Sequence, residues 1–216
     1  FRRVLFRSPL QGGIVGFLGY DVVREVEFLP DMPHDDRGLP DATMSVIGSL
    51  AAFDHWRQRV HLIESVPVLG LDAEGLEREY AAACARVERS VQALARPVAM
   101  PVVEPPSRDE AAPTARSSMS DGAYQRAVGA AKEYILAGDI FQVVLSQRYD
   151  IELDADPFDV YRVLRQVNPS PYMYFVRQPD LTIVGSSPEP LVKVLGRTVV
   201  SRPIAGTRRR GLTDDD

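Results

Sequence analysis

Apolar residues recur along the chain in two rhythms, one of about two residues and one of about 3.6, and each rhythm predicts an element. Gly12 to Tyr20, Val46 to Phe53 and Val60 to Ile63 are rich in β-branched and aromatic residues and are bounded by Pro, Gly and Asp, so they read as strands. Beyond Asp72, a capping residue, Leu76, Tyr80, Cys84, Val87, Val91 and Leu94 trace the stripe of one long helix. Cys84 falls on that stripe and is expected to be a buried core thiol.

The pattern breaks between Pro97 and Ser118, where Pro97, Pro101, Pro105, Pro106 and Pro113 sit among Ala, Ser and charged residues. Proline lacks the N–H that a helix or ladder requires, so residues 98–118 are expected to link a lobe at 12–97 to a second domain at 119–216. Ser120 offers an N-cap for a helix with the stripe Tyr124, Val128, Ala131 and Ile135, stopped by Gly138. Ile140 to Tyr149 reads as a strand, apolar at Phe141, Val143 and Leu145 and polar at Gln142, Ser146 and Arg148. Asp156-Pro157 opens a further helix lined by Phe158, Tyr161, Leu164 and Val167, which must stop before Asn168-Pro169. Two hairpins are expected after it, Tyr172–Val176 with Leu181–Gly185 and Leu191–Leu195 with Thr198–Ile204. This order of elements predicts an α+β fold.

Composition narrows the class without naming a chemistry. Of 216 residues, 45% are hydrophobic and 25% charged, the balance of a soluble globular protein. A net charge of −5 gives no basic field for nucleic acid, and no apolar run approaches the roughly 20 residues of a membrane span. A single cysteine excludes an internal disulfide framework and fits a cytoplasmic protein. Val4 to Ser8 coincides with one reading frame of a common sequencing adapter, so residues 1–11 are expected to be non-native. The acidic run Asp214 to Asp216 follows a motif-like stretch with no closing element, which reads as an internal piece of a longer polypeptide.

Few residues announce chemistry. The glycines at 12, 13, 16 and 19 lack dinucleotide-binding spacing and suit close backbone packing instead. His34, His55 and His61 lack metal-ligand spacing, and Arg208-Arg209-Arg210 suits an anion or a solvated charge run equally well. Two stretches stand apart. Ser186-Ser187-Pro188-Glu189-Pro190 sets a carboxylate between prolines, which suits a positioned acid or base and equally a surface turn. Pro203-Ile204-Ala205-Gly206-Thr207 ends a strand in small residues whose backbone N–H groups could approach an anion.

Taken together, four segments are recognisable. Gly138 to Arg148, Asn168 to Phe175, Gly185 to Pro190 and Arg202 to Arg208 resemble, in order, the chorismate-binding domain of anthranilate synthase large subunits. Gly12 to Asp21 is similar to a segment of that family's N-terminal lobe, so the resemblance covers nearly the whole chain after residue 11.

The resemblance implies the family's large multi-stranded sheet architecture and a lyase reaction. Chorismate and ammonia give anthranilate and pyruvate with Mg²⁺ as cofactor, the first step of tryptophan biosynthesis. Glu189 matches the residue placed near the leaving C4 hydroxyl, as general acid. Gly206 and Thr207 match a chorismate-contacting pair, and Pro171, Tyr172 and Met173 match a segment that binds the feedback inhibitor L-tryptophan. The second part of that regulatory site, a Leu-Glu-Ser-type segment, is missing. Superfamily members that use a lysine base or a lysine nucleophile carry it where this chain has Gln142 and Ala205, which leaves ammonia as the nucleophile. The Mg²⁺-binding glutamates, the catalytic histidine and further chorismate contacts are expected downstream of residue 216, so the 216 residues alone are expected to be inactive. Ammonia is expected from a glutamine amidotransferase subunit, in a heterotetramer. The alternatives are an aminodeoxychorismate synthase of the folate pathway, or a non-catalytic amino-acid-binding module.

Overall fold

The computed structural model describes residues 10–107, 109–206, 209, 211 and 213, so most of the expected non-native segment lies outside it. The chain divides into two compact units, Phe1–Met100 and Pro101–Asp216. It mixes helix and strand, as the α+β expectation requires.

In the first unit β1 (Gly13–Leu18) pairs antiparallel with β2 (Ala42–Ile47), and β3 (Ser49–Asp54) with β4 (Arg59–Glu64). The single strand expected over Val46–Phe53 is therefore two strands divided at Gly48, whose carbonyl accepts from the Ser65 N–H at 2.7 Å. The division has a physical cause: each half of the long segment takes a different partner. Gly16 lies so near the Thr43 carbonyl that a Cβ there would overlap it, which bears out close backbone packing at this position. The strand expected to reach Tyr20 stops at Leu18, and Tyr20–Glu25 forms a 3₁₀ turn.

Helix α1 (Ala73–Leu94) starts where expected, with the Asp72 carboxylate accepting from the Gly75 N–H at 2.8 Å. It packs on β4, and Arg86 Nε donates to Glu64 Oε2 at 2.9 Å. The Ser49 hydroxyl and then the Arg86 guanidinium hold the Glu64 carboxyl below its usual range. The Cys84 thiol is exposed, contrary to expectation. With Leu76, Tyr80, Val87, Val66 and Val68 it lines an open groove of about 620 Å³. The stripe is real, but β4 covers only one flank of it.

In the second unit α2 (Ala123–Ala137) is capped by Gly122 at φ 71° rather than by Ser120, whose carbonyl accepts from the Ala123 N–H at 3.0 Å. A left-handed glycine turns the chain into the helix and leaves the serine hydroxyl unused as a cap. Gly138, at φ 83°, ends the helix as expected. The strand expected over Ile140–Tyr149 is absent apart from β6 (Tyr149–Asp150), which pairs with β5 (Arg116–Ser117). Alternation alone makes no strand, because a ladder needs a neighbour. Arg116 and Arg148 both reach the Asp150 carboxylate, at 3.3 and 3.1 Å.

Helix α3 (Pro157–Val167) has the expected cap: Asp156 Oδ1 accepts from the Phe158 N–H at 2.7 Å. Part of the Pro-rich segment lies along this helix, with Arg162 donating to the Pro101 carbonyl at 2.6 Å and Gln166 to the Val103 carbonyl at 3.1 Å. β7 (Tyr172–Arg177) pairs with β8 (Thr182–Ser187) in the predicted hairpin. β9 (Lys193–Leu195) and β10 (Thr198–Val200) form the second, shorter than expected, turning at Gly196 with φ 60°. Among the described residues no apolar side chain is fully buried. Aromatic contacts set Phe175 of β7 against Phe158 and Tyr161 of α3, with ring centres 5.2 and 5.8 Å apart.

Candidate active site

The β7–β8 hairpin carries or adjoins several of the candidate residues. Its ladder sets Tyr172 opposite Ser187, Met173 opposite Ser186 and Tyr174 opposite Gly185. Directly opposed residues share a face and faces alternate along a strand, so Tyr172, Tyr174, Gly185 and Ser187 lie on one face. Met173, Phe175, Val184 and Ser186 lie on the other, the face that Phe175 presents to α3. The Tyr174 ring crosses the Gly185 Cα, where any Cβ would overlap it. Glycine is thus required at the head of the Gly-Ser-Ser-Pro-Glu segment by packing.

Beyond β8 the chain turns through Pro188 to Glu189, which is half-buried. The Ser187 hydroxyl donates to the Glu189 carbonyl at 3.0 Å and accepts from the Glu189 N–H at 3.3 Å. Glu189 Oε1 accepts from the Ile204 N–H at 3.0 Å. The carboxylate is therefore fixed from its backbone and from its tip. That last bond brings together two of the stretches singled out from sequence, Ser186–Pro190 and Pro203–Gly206.

Gly206 is exposed and has no neighbour within 4 Å of where a Cβ would stand, so its backbone is open to a ligand. Thr207 and Arg208 lie outside the described residues. Gln142 and Ala205 are exposed and carry no amine. Pro171, Tyr172 and Met173 do not form one surface: Tyr172 is 46% exposed on the open face, while Met173 is half-buried on the α3 face. The Ser186 hydroxyl, on Met173's face, donates to the Asn168 carbonyl at 2.7 Å and ties β8 to the start of that segment. The Ile204 N–H belongs to the stretch whose N–H groups were expected to approach an anion, and it meets the Glu189 carboxyl group, while the Ser187 hydroxyl had no role in the sequence reading. A serine two residues before a glutamate that follows proline is the signal that could have found the second of these.

Among the described residues no three His, Cys, Asp or Glu groups stand close enough to hold a metal ion. Glu189 belongs to no such group, so the described residues do not fit Mg²⁺ and no step is routed through it.

A family model described as "chorismate binding enzyme" matches residues 2–216. The chain belongs to the chorismate binding enzyme family. Within it, the chain is 40% identical over 208 residues to anthranilate synthase component 1 of Acetivibrio thermocellus, covering 95% of this chain and 41% of that protein. It is 42% identical over 214 residues to the component 1 of Mycobacterium tuberculosis, covering 96% and 41%. It is 44% identical over 210 residues to the chloroplastic anthranilate synthase alpha subunit 1 of Oryza sativa subsp. japonica, covering 93% and 36%. The crystal structure of anthranilate synthase component I from Streptococcus pneumoniae matches with a TM-score of 0.71 at 33% identity, over 89% of this chain and 42% of that one. The chain thus spans about two-fifths of the length of these chorismate binding enzymes.

Proposed function

We propose that the whole protein is the large subunit of an anthranilate synthase, with Glu189 as the general acid. Ammonia would add at C2 of chorismate while the C4 hydroxyl departs as water, taking its proton from Glu189. Loss of the C2 proton with the pyruvyl group then gives anthranilate and pyruvate. A leaving hydroxide is a poor leaving group at neutral pH, and a positioned acid removes that obstacle. The observation that carries this reading is the Glu189 carboxylate, fixed at both ends and joined through Ile204 to the Pro203–Gly206 segment. In this reading Gly206 and Thr207 contact chorismate through a backbone N–H and a hydroxyl, which recognise oxygen atoms without adding charge.

Tryptophan would regulate through Pro171–Met173, with Met173 offering the indole a polarisable thioether on the α3 face. Mg²⁺ would be held by residues other than those described, and ammonia supplied by a glutamine amidotransferase subunit in a heterotetramer. A cytoplasmic location is part of the proposal; among the described residues no helix is long and apolar enough to cross a membrane. The 216 residues alone would lack turnover, since removing one member of a cooperating set forfeits most of the rate.

Product analysis of the whole protein with chorismate, Mg²⁺ and ammonium tests the reading. Formation of o-aminobenzoate and pyruvate supports it. A 4-amino-4-deoxy product would assign the protein to the folate pathway, and tryptophan binding without turnover would leave an amino-acid-binding module.

A further inference from the structure

The geometry points to Ser187 as the positioning residue of Glu189, an inference that rests on the general-acid reading above. A carboxylic acid that delivers a proton must meet the departing oxygen at hydrogen-bond distance, and a misplacement of about 1 Å can cost about a hundredfold in rate. Glu189 lies outside any ladder, so neither strand pairing nor helix bonds fix it. Pro188 fixes only its own φ and Pro190 biases Glu189 toward extended backbone, which leaves the peptide planes of Glu189 free to tilt. The Ser187 hydroxyl removes that freedom. It accepts from the Glu189 N–H and donates to the Glu189 carbonyl, closing a small ring around Pro188.

Ser187 is itself immobilised, because it is the last residue of β8 and pairs with Tyr172. Its neighbour Ser186 is spent on the Asn168 carbonyl, on the opposite face, so the two serines divide the work. Ser186 anchors the strand to the end of α3, and Ser187 anchors the glutamate to the strand. Alanine in place of Ser187 leaves both prolines and the Ile204 N–H intact, yet releases both peptide groups of Glu189. Among the described residues the hydrogen bonds of the Ser187 hydroxyl go to the backbone of Glu189, so it acts on the reaction through where Glu189 sits.

The test is a double-mutant cycle in the whole protein, with Ser187→Ala, Glu189→Gln and the pair, reading kcat and KM for chorismate with ammonium. Loss of the two hydrogen bonds to Glu189 predicts a fall in kcat of at least about fivefold for Ser187→Ala, with KM nearly unchanged. In the Glu189→Gln background the same change should have no further effect, because there is no acid left to position. Ser187→Thr, which keeps the hydroxyl, should restore kcat, and Ser187→Cys, which keeps the volume with a weak donor, should not. Equal falls in both backgrounds, or no fall in either, would overturn the positioning role while leaving Glu189 as the acid. A Glu189→Gln protein with normal turnover would remove the general-acid reading itself.

Discussion

The carboxylate of Glu189 and the backbone N–H of Ile204 are hydrogen-bonded at 3.0 Å across fifteen residues of sequence. This contact joins two loops that local pattern treats as unrelated. Beside the ligand contact proposed for it, Pro203–Gly206 holds the side chain of the glutamate. The donor is a main-chain group, so only a change that deletes the N–H tests it. Ile204→Pro removes the donor and keeps an apolar ring. Loss of this hydrogen bond predicts a fall in kcat of about fivefold. Ile204→Val keeps the N–H and should stay within about twofold of the parent. Steady-state kinetics on both variants of the whole protein decide the point, and equal rates for the two would remove the role given to this bond.

Gly185→Ala should destabilise the protein by about 1–3 kcal/mol, because the new Cβ must displace the Tyr174 ring. The fall in melting temperature should be partly recovered in the double variant with Tyr174→Ala, since the clash then has no partner. Thermal unfolding of the two variants measures this directly.

Met173→Thr should raise the tryptophan concentration needed for half-inhibition, by removing thioether surface from the α3 face of the hairpin. Tyr172→Phe keeps the ring on the open face and should leave that concentration within about twofold, as a lost exposed hydroxyl is worth little. Inhibition curves with chorismate at its KM test the pair. If Tyr172→Phe moved the curve and Met173→Thr did not, the regulator would sit on the opposite face from the one assigned.

The Glu64 carboxyl should titrate below the ordinary glutamate range, with Ser49→Ala and Arg86→Ala each moving its midpoint up. A carboxyl whose pKa is lowered on folding adds stability above its unfolded pKa, and that stability is lost as pH falls through the folded value. Acid should therefore loosen α1 from β4, and Glu64→Gln should flatten that part of the stability profile. A carbon-13 NMR titration of the side-chain carboxyl gives the midpoint, and one at the ordinary value would contradict the hydrogen bonds assigned to it.

What the sequence disclosed follows from how local each determinant is. Asp72 and Asp156 cap α1 and α3 as read, because a cap needs only three or four consecutive residues. Gly138 ends α2 for the same reason. The β7–β8 hairpin was legible because both of its strands lie in one short stretch. Ile140–Tyr149 alternates like a strand but forms one only at Tyr149, since pairing depends on a neighbour that no local pattern supplies. Cys84 shows the same limit: its stripe was read correctly, but how far β4 covers that stripe is a matter of tertiary packing. Glu189 was found between its prolines and Gly206 by resemblance, while the contact of the Ile204 N–H with that carboxylate could not be read from a motif. Backbone donors carry no letter in the sequence.

The most direct test of the account is the rate of anthranilate formation by Glu189→Gln in the whole protein, with glutamine and with ammonium as separate donors. Glutamine keeps the shape and can still accept from the Ile204 N–H, so chorismate affinity should change little. It has no proton to give the departing C4 hydroxyl, and general-acid catalysis is typically worth about 10²–10⁴-fold. The account predicts that kcat falls by about that factor with both donors alike. Near-normal rates with both would contradict it and make Glu189 a turn residue held by its prolines, and loss of the glutamine-dependent rate alone would place Glu189 at the contact with the amidotransferase.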